Sequence, residues 1–143
     1  MAGAGALGFH HVRLLRDHRG VTFAGFYDSS AEQRSRVASE LRVHAFQSLD
    51  AMLESVDAAV VVVPTKAHYE VGKAALSRGI HLLIEKPITA TLAQADELVD
   101  LARQRGALLQ IGHVERFNRA VRAAAPYLDA PRFIESERLA PFN

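Results

Sequence analysis

Apolar and polar residues follow one another in blocks that predict strands and helices in turn. Residues 58–63 form an unbroken apolar run, which is typical of a parallel strand buried on both faces. Residues 91–106 instead place apolar side chains at helical spacing, behind a capping box of Thr91 and Gln94. Because this alternation repeats with short glycine turns, the pattern predicts an α/β fold with a doubly wound parallel sheet of the Rossmann type.

The alternation places elements along most of the chain. Gly20 and Gly79 are expected to stop the helices that precede them, since glycine readily adopts the left-handed conformation of helix ends. Helices are predicted at residues 7–19, 30–41, 48–55, 68–78 and 91–106, and strands at residues 21–27, 43–46, 58–63, 80–84 and 108–111.

Composition narrows the class of protein. The 143 residues, 49% of them hydrophobic, predict about one domain with an ample core. Lys and Arg number 17 against 16 Asp and Glu, so the chain lacks the positive charge typical of nucleic-acid binding. The sequence has no cysteine for disulfides or thiolate metal sites, and no apolar run of membrane-spanning length. A cytoplasmic protein is therefore expected.

The segment at residues 3–8 reads Gly-Ala-Gly-Ala-Leu-Gly, the turn that binds pyrophosphate in dinucleotide folds. The first glycine permits the tight bend, the second lets the backbone approach the phosphates, and the third lets helix and strand pack closely. A flexible tail rich in alanine and glycine is the alternative explanation of so short a motif. The residues expected to bind the cofactor here are Gly3, Gly5, Ala6, Leu7 and Gly8.

Asp28 directly follows the strand predicted at residues 21–27, which would be the second strand of a complete dinucleotide fold. A carboxylate at this place accepts hydrogen bonds from the adenosine ribose. Its charge would repel the 2′-phosphate of NADP, so NAD is the favoured cofactor. NADP remains an alternative if Asp28 turns away, because Ser29, Ser30 and Arg34 are near enough to hold a phosphate.

Only Met1 and Ala2 precede the glycine turn, where such folds place the central strand of the sheet. Without about four or five residues of that strand, buried backbone groups on both neighbours stay unpaired, at roughly 1–3 kcal/mol for each group. That loss rivals the roughly 5–15 kcal/mol that stabilises a whole domain. We therefore expect the sequence to be a fragment, or a mis-started reading, of a longer polypeptide.

Three polar clusters follow the later strands, at the edge where open α/β sheets bind ligands. Taken singly, each has an ordinary structural explanation as a strand end, a helix cap, or a solvated turn or helix face. Together, at the same ends of successive strands, they predict a binding site. Its candidate residues are Pro64, Thr65 and His68, then Glu85 and Lys86, then His113, Arg116 and Asn118.

The chain resembles the Gfo/Idh/MocA family of glucose–fructose oxidoreductases and inositol dehydrogenases along essentially its whole length. The resemblance rests on the glycine turn with His11, on Asp28, and above all on Glu85-Lys86-Pro87. It implies that Lys86 is the catalytic residue, which lies beside the nicotinamide and hydrogen-bonds the substrate hydroxyl during hydride transfer. It also implies a cis peptide bond between Lys86 and Pro87.

Residues 113–118 are similar to the branch of this family that acts on nucleotide sugars such as UDP-N-acetylglucosamine. That similarity implies that Arg116 and Asn118 face the substrate, together with His113. Arg119 departs from the branch motif, which commonly has proline after the asparagine. The arginines at 116, 119 and 122 also follow helical spacing, so a solvated helix face is an equal alternative.

By this resemblance, residues 1–125 form the dinucleotide-binding domain, and residues 126–143 form the crossover into a missing C-terminal α+β substrate domain. The implied function is metal-free, NAD(P)-dependent hydride transfer involving a sugar or nucleotide-sugar hydroxyl, with this chain alone inactive. A full-length member would be a homo-oligomer with a small-molecule partner, and with neither nucleic acid nor membrane as a partner. The alternative is a non-catalytic NAD-binding module or a truncated pseudoenzyme.

Overall fold

The computed structural model describes residues 1–135 and 137. Helices pack on both faces of a parallel sheet, which confirms the predicted doubly wound α/β fold. The strands are β1 (Ala58–Val61), β2 (His81–Ile84) and β3 (Leu109–Ile111), and the helices are α1 (Ala6–Asp17), α2 (Ala31–Leu41), α3 (Leu49–Leu53), α4 (Thr65–Ser77), α5 (Leu92–Arg105) and α6 (Arg119–Ala124).

The sheet has a central position that the beginning of the chain occupies. β1, β2 and β3 pair in parallel in that order. Beyond β1 the sheet continues through single parallel bridges, from Ala2 to Val61 on one side and to Tyr27 on the other, and from Phe26 to Ala45. Ala2 therefore lies between Tyr27 and β1, which is the place of the central strand in such folds.

Two apolar clusters fill the two faces of the sheet. α1 and α2 contribute Val12 and Val37 to one cluster, and α3, α4 and α5 contribute Met52, Leu76 and Leu98 to the other. All five side chains are fully buried. β1 serves both clusters because successive side chains of a strand point to opposite faces.

The first helix ends earlier than the sequence predicted. α1 stops at Asp17 with His18 as an extended C-cap, so the expectation that Gly20 ends it is wrong. The Gly20 amide instead donates a hydrogen bond to the His18 ring at 3.0 Å. Such a local side-chain acceptor competes with helical hydrogen bonding and holds residues 18–20 in a turn.

The fourth helix begins earlier than predicted, and the later helix ends agree with the sequence. α4 starts at Thr65 rather than at residue 68, because Pro64 takes the position before the first helical turn. Gly79 and Gly106 have the left-handed φ values of 76° and 64° expected after a helix. Thr91 caps α5 by accepting a hydrogen bond from the Gln94 amide, as the capping box predicted.

Two predicted strands are reduced to single bridges. Among residues 21–27 bridges form only at Phe26 and Tyr27, and among residues 43–46 only at Ala45. Extended backbone becomes a strand only when a neighbour supplies hydrogen bonds. Met1 and Gly3 supply them only at the end of this segment, to Gly25 and Tyr27. The prediction of a full strand at 21–27 was therefore wrong for residues 21–25.

The chain divides into two compact units, Met1–Gly112 and His113–Asn143. In the second unit, short 3-10 helices at Val114–Phe117 and Ala125–Tyr127 flank α6. The assignment of residues 1–125 and 126–143 to two domains stays a prediction, and part of the crossover expected at 126–143 lies outside the described residues. Among those residues, no helix combines the length and apolar character needed to cross a membrane.

Candidate functional site

The glycine turn leads directly from the centre of the sheet into α1. Gly3 has a left-handed φ of 89°, and a Cβ added to it would lie 2.5 Å from the Val62 carbonyl oxygen. A Cβ on Gly8 would overlap the Gly3 carbonyl oxygen. Glycine is therefore required at both positions by the packing of the turn against β1 and α1.

Gly5 differs from the other two glycines of the motif because a Cβ there would meet open space. It is the N-cap of α1, and the first amides of the helix, at Ala6, Leu7 and Gly8, have no partner within the helix. The first turn contains no acidic side chain. These amides and the helix dipole therefore form a concave backbone surface that fits a phosphate group.

Asp28 is fixed beside this turn by backbone amides. Its Oδ2 accepts a hydrogen bond from the Ala4 amide at 2.7 Å, and its Oδ1 accepts one from the Ser30 amide at 2.9 Å. The Arg34 guanidinium donates to the Asp28 carbonyl oxygen at 2.6 Å. Each carboxylate oxygen keeps a further lone pair, so Asp28 is able to accept hydrogen bonds from a ligand without leaving the turn.

His68 connects the residues that follow β1 with those that follow β2. It lies in the first turn of α4 and is only 2% exposed. Its Nδ1 is 2.7 Å from the Pro87 carbonyl oxygen and its Nε2 is 2.8 Å from the Val63 carbonyl oxygen. A ligand would reach this ring only by displacing one of the two contacts, whereas Pro64 is exposed and Thr65 partly exposed.

Glu85 joins three elements at the end of β2. Its carboxylate is buried, with Oε1 at 3.4 Å from His11 Nε2 in α1. The Lys86 amide donates to Oε2 at 3.3 Å. A Cβ on Gly112, at the end of β3, would lie 2.7 Å from Oε1. The carboxylate therefore fills the space that the missing side chain of Gly112 leaves.

Lys86 follows Glu85 with an exposed side chain, and its peptide bond to Pro87 is cis, as the family resemblance implied. Within residues 1–135, its ammonium takes part in no ion pair. The backbone at this corner is held by His68 and the Glu85 carboxylate, and the ammonium is available to a ligand oxygen.

The remaining candidates belong to the second unit. His113, Arg116 and Asn118 are all exposed. Asn118 caps α6 through its Oδ1, which accepts from the Ala120 amide at 2.9 Å, while its Nδ2 donates to Glu115 Oε2 at 2.8 Å. The side-chain contacts of Asn118 are thus those of a helix cap.

The candidates of the first unit lie together at the carboxyl edge of the parallel sheet. Contacts link the glycine turn to the end of β1 through Gly3 and Val62, and α1 to the end of β2 through His11 and Glu85. In the sequence, His11 was part of the motif on which the family resemblance rests, and its contact with Glu85 was not predicted. Gly112 was not among the predicted site residues. The signal for Gly112 was a glycine directly after a strand at this edge.

A parallel sheet with a glycine-rich turn opening a helix at its centre defines a dinucleotide-binding domain of the Rossmann class. Residues 1–113 match the oxidoreductase family with an NAD-binding Rossmann fold described as GFO_IDH_MocA. The chain belongs to this family. The resemblance seen in the sequence is thereby confirmed.

The chain is similar to several known proteins. UDP-N-acetylglucosamine 3-dehydrogenase of Acidithiobacillus ferrooxidans is 42% identical over 142 residues, which cover 99% of this chain and 45% of the relative. A solved structure of that enzyme superposes with a TM-score of 0.80 at 38% identity, over 89% of this chain and 42% of the other. The chain thus spans less than half the length of this relative.

A more distant solved structure carries both a cofactor and a second ligand. Biliverdin reductase of Synechocystis, in complex with biliverdin and NADP+, superposes with a TM-score of 0.81 at 26% identity, over 89% of this chain and 41% of the other. Members with this fold therefore act on chemically different substrates, and the fold alone does not select one.

Proposed function

We propose that the glycine turn and Asp28 bind NAD, with the pyrophosphate on the first amides of α1 and the adenosine ribose on the Asp28 carboxylate. The observation that carries this proposal is the pair of amides, from Ala4 and Ser30, that holds Asp28 beside the turn. A carboxylate fixed in this way accepts ribose hydrogen bonds with little loss of side-chain freedom. Ala6, Leu7 and Gly8 supply the amides for the phosphates.

The same contacts favour NAD over NADP. A 2′-phosphate would meet the Asp28 carboxylate, which would have to give up both of its backbone hydrogen bonds in order to turn away. Ser30 caps α2, since its Oγ accepts from the Gln33 amide at 3.2 Å, and its O–H remains a side-chain donor there for a phosphate. Arg34 is held against the Asp28 carbonyl group and above the ring of Tyr27.

In the proposed reaction, a hydroxyl of a sugar or nucleotide sugar is oxidised to a ketone. The bound nicotinamide supplies the acceptor for the hydride. Lys86 places its ammonium on the substrate oxygen and stabilises the negative charge that develops there as the hydroxyl proton is released to solvent. Pro64, Thr65 and Glu85 shape the nicotinamide side of the site.

The exposed candidates of the second unit and the buried His68 have different proposed roles. His113, Arg116 and Asn118 contact the substrate, with the Arg116 guanidinium suited to a phosphate or a sugar hydroxyl. His68 acts as a positioning residue. Within the described residues, the hydrogen-bond partners of its ring are the backbone carbonyl groups of Val63 and Pro87 alone. The 42% identity to a UDP-N-acetylglucosamine 3-dehydrogenase supports a nucleotide sugar as the substrate class.

Calorimetric titration of the chain with NAD and NADP tests the cofactor proposal. Asp28→Asn keeps an acceptor for the Ala4 amide but removes the charge, so NAD affinity should fall about tenfold or more, given ~1.5–3 kcal/mol for a hydrogen bond to a charged group. Asp96→Asn, at an exposed position of α5, is the matched control and should bind NAD like the parent chain. Unchanged NAD affinity in Asp28→Asn would refute the ribose assignment.

The catalytic role of Lys86 is tested in a chimera that joins residues 1–143 to the remaining residues of the Acidithiobacillus ferrooxidans relative. With UDP-N-acetylglucosamine as the substrate, Lys86→Ala should retain NAD binding and lose NADH formation. Lys66→Ala, at an exposed lysine of α4, is the control. Equal turnover in Lys86→Ala would remove the catalytic role and favour a non-catalytic NAD-binding module.

A further inference from the structure

Ser30 and Gln33 have the spacing of a capping box at the beginning of α2, but only half of that box forms. The Ser30 hydroxyl accepts a hydrogen bond from the Gln33 amide at 3.2 Å. In the reciprocal half of a capping box, the Gln33 side chain would bond to the Ser30 amide. That amide instead donates to Asp28 Oδ1 at 2.9 Å, so the Gln33 side chain is available for another contact.

The Gln33 side chain reaches the glycine turn. Its Nε2 donates a hydrogen bond to the carbonyl oxygen of Ala4, a residue 29 positions earlier in the chain. The amide of the same residue donates to Asp28 Oδ2 at 2.7 Å. Because Ala4 is fully buried, its two backbone groups depend on these side chains for hydrogen bonds.

Arg36 determines which way the amide group of Gln33 points. Its Nε donates to Gln33 Oε1 at 3.3 Å, and its guanidinium lies over the Phe9 ring, 5.8 Å from the ring centroid. In the opposite orientation, the Gln33 oxygen would face the Ala4 oxygen and its NH2 group would face the guanidinium, so neither hydrogen bond would form. The donor of Gln33 is therefore directed at the turn.

The contact between Gln33 and Ala4 fixes the peptide group that joins Ala4 to Gly5. This peptide bond is trans, so its carbonyl and N–H groups point in opposite directions. Because the carbonyl group points toward α2, the Gly5 amide points away from it. Within the described residues, that amide donates to no backbone acceptor, and the place of the missing Gly5 side chain is open.

We propose that Gln33 is a positioning residue of the cofactor site, which holds the peptide between Ala4 and Gly5 in the orientation that the pyrophosphate requires before NAD binds. The proposal rests on the NAD site proposed above. The cofactor then meets an ordered turn, and the cost of ordering it is not subtracted from the binding free energy. The residues around the beginning of α2 thus serve both ends of the adenosine diphosphate: Asp28 serves the ribose, and Gln33 serves the phosphates.

Calorimetric titration with NAD compares the parent chain with Gln33→Met, Gln33→Asn and Gln104→Met. Methionine matches the length of glutamine but has no donor, whereas asparagine keeps the amide group and is one methylene shorter. Gln104, which is exposed in α5, is the matched control. Both substitutions at Gln33 should weaken NAD binding about fivefold, the effect of one ordinary hydrogen bond. They should also shift the amide NMR resonance of Gly5 in the chain without NAD, and the control should do neither.

A double-mutant cycle with Gly5→Ala separates positioning from a general loss of stability. If Gln33 acts through the Gly5 peptide, the combined loss of affinity in Gln33→Met with Gly5→Ala is smaller than the product of the two single losses. Gln33→Asn gives the same comparison if Gln33→Met does not fold. Losses that multiply would overturn the positioning role.

Asp28→Asn distinguishes failure of this proposal from failure of the NAD site. If Asp28→Asn weakens NAD binding and the Gln33 variants do not, the role of Gln33 alone is wrong. If none of these variants changes the affinity, the proposed NAD site is wrong as well.

Discussion

Gly112 and Glu85 occupy complementary space at the carboxyl edge of the sheet, since a Cβ on Gly112 would lie 2.7 Å from Glu85 Oε1 and 2.8 Å from its Cδ. The buried carboxylate is also in contact with His11 of α1 at 3.4 Å. The absence of a side chain at Gly112 therefore permits the contact between α1 and the end of β2. The glycine that follows β3 thus leaves room for the carboxylate that follows the neighbouring strand β2.

Gly112→Ala should lower the free energy of unfolding by about 1–3 kcal/mol, because the new methyl group has to displace a buried carboxylate. Urea unfolding measures the change. A double-mutant cycle provides the control: in a Glu85→Ala background the group that clashes is gone, so Gly112→Ala should have little effect. The same loss in both backgrounds would show that the strain comes from the backbone of Gly112 and not from Glu85.

Substitutions at Gly5 and Gly8 should separate the contribution of the turn to stability from its contribution to cofactor binding. A Cβ on Gly5 meets open space and the residue has an ordinary φ of −63°, so Gly5→Ala should lower the free energy of unfolding by no more than about 1 kcal/mol, the effect of alanine at an N-cap. Its methyl group would nevertheless stand where a phosphate approaches the amides of α1, and NAD affinity should fall at least tenfold in calorimetry.

Gly8→Ala is the contrasting variant, because its Cβ overlaps the Gly3 carbonyl group. It should unfold at clearly lower urea concentration than Gly5→Ala. If Gly5→Ala binds NAD as the parent does, the phosphates do not lie over the N-terminus of α1.

Helices and buried strands were predictable from sequence where the local pattern and the packing agree. α5 has both its cap, Thr91, and its stop, Gly106, directly at its two ends in the sequence. β1 needs no polar face because both of its faces are covered. The segment 21–27 was predicted as a strand from its aromatic and β-branched residues. Its pairing depends on distant residues that reach only its end, since Met1 and Gly3 bond to Gly25 and Tyr27 alone.

For the site, the sequence predicted which residues follow the carboxyl ends of strands, because strand order in a doubly wound sheet is regular. It did not predict what those residues touch. The contact of His11 with Glu85 depends on the angle at which α1 leaves the glycine turn, and the burial of His68 depends on two backbone carbonyl groups from separate loops. Neither leaves a signal in residue spacing.

His68→Gln should weaken both the fold and the site. The imidazole spans from the Val63 to the Pro87 carbonyl oxygen, whereas a single amide nitrogen reaches only one of them. The loss of one of these two buried contacts should lower the free energy of unfolding by about 1–3 kcal/mol. NAD affinity should fall as well, because the residues after β1 and β2 lose their connection. His44→Gln, at an exposed histidine, should change neither quantity. An unchanged affinity in His68→Gln would limit this residue to a structural role.

The buried amine of Met1 predicts how stability depends on pH. Burial lowers its pKa from 8.0 to about 5, so between these values the unfolded chain binds a proton that the folded chain does not. The free energy of unfolding should therefore be highest above pH 8, fall as the pH drops toward 5, and level off below it. The full difference between the two pKa values corresponds to about 4 kcal/mol at most.

Chemical denaturation at a series of pH values checks this prediction, with Nα-acetylated chain as the control and mass spectrometry to confirm that Met1 is retained. Acetylation removes the titrating group while keeping an N–H that can donate to the Gly25 carbonyl oxygen. Asp57 and His81 line the same apolar cavity as Met1, but they are present in both chains and cancel in the difference between the two profiles. The difference in unfolding free energy between the acetylated and the parent chain should grow steadily from pH 8 to pH 5. Parallel profiles would mean that the Met1 amine is hydrated in the folded chain and does not lie on the ladder beside Gly25.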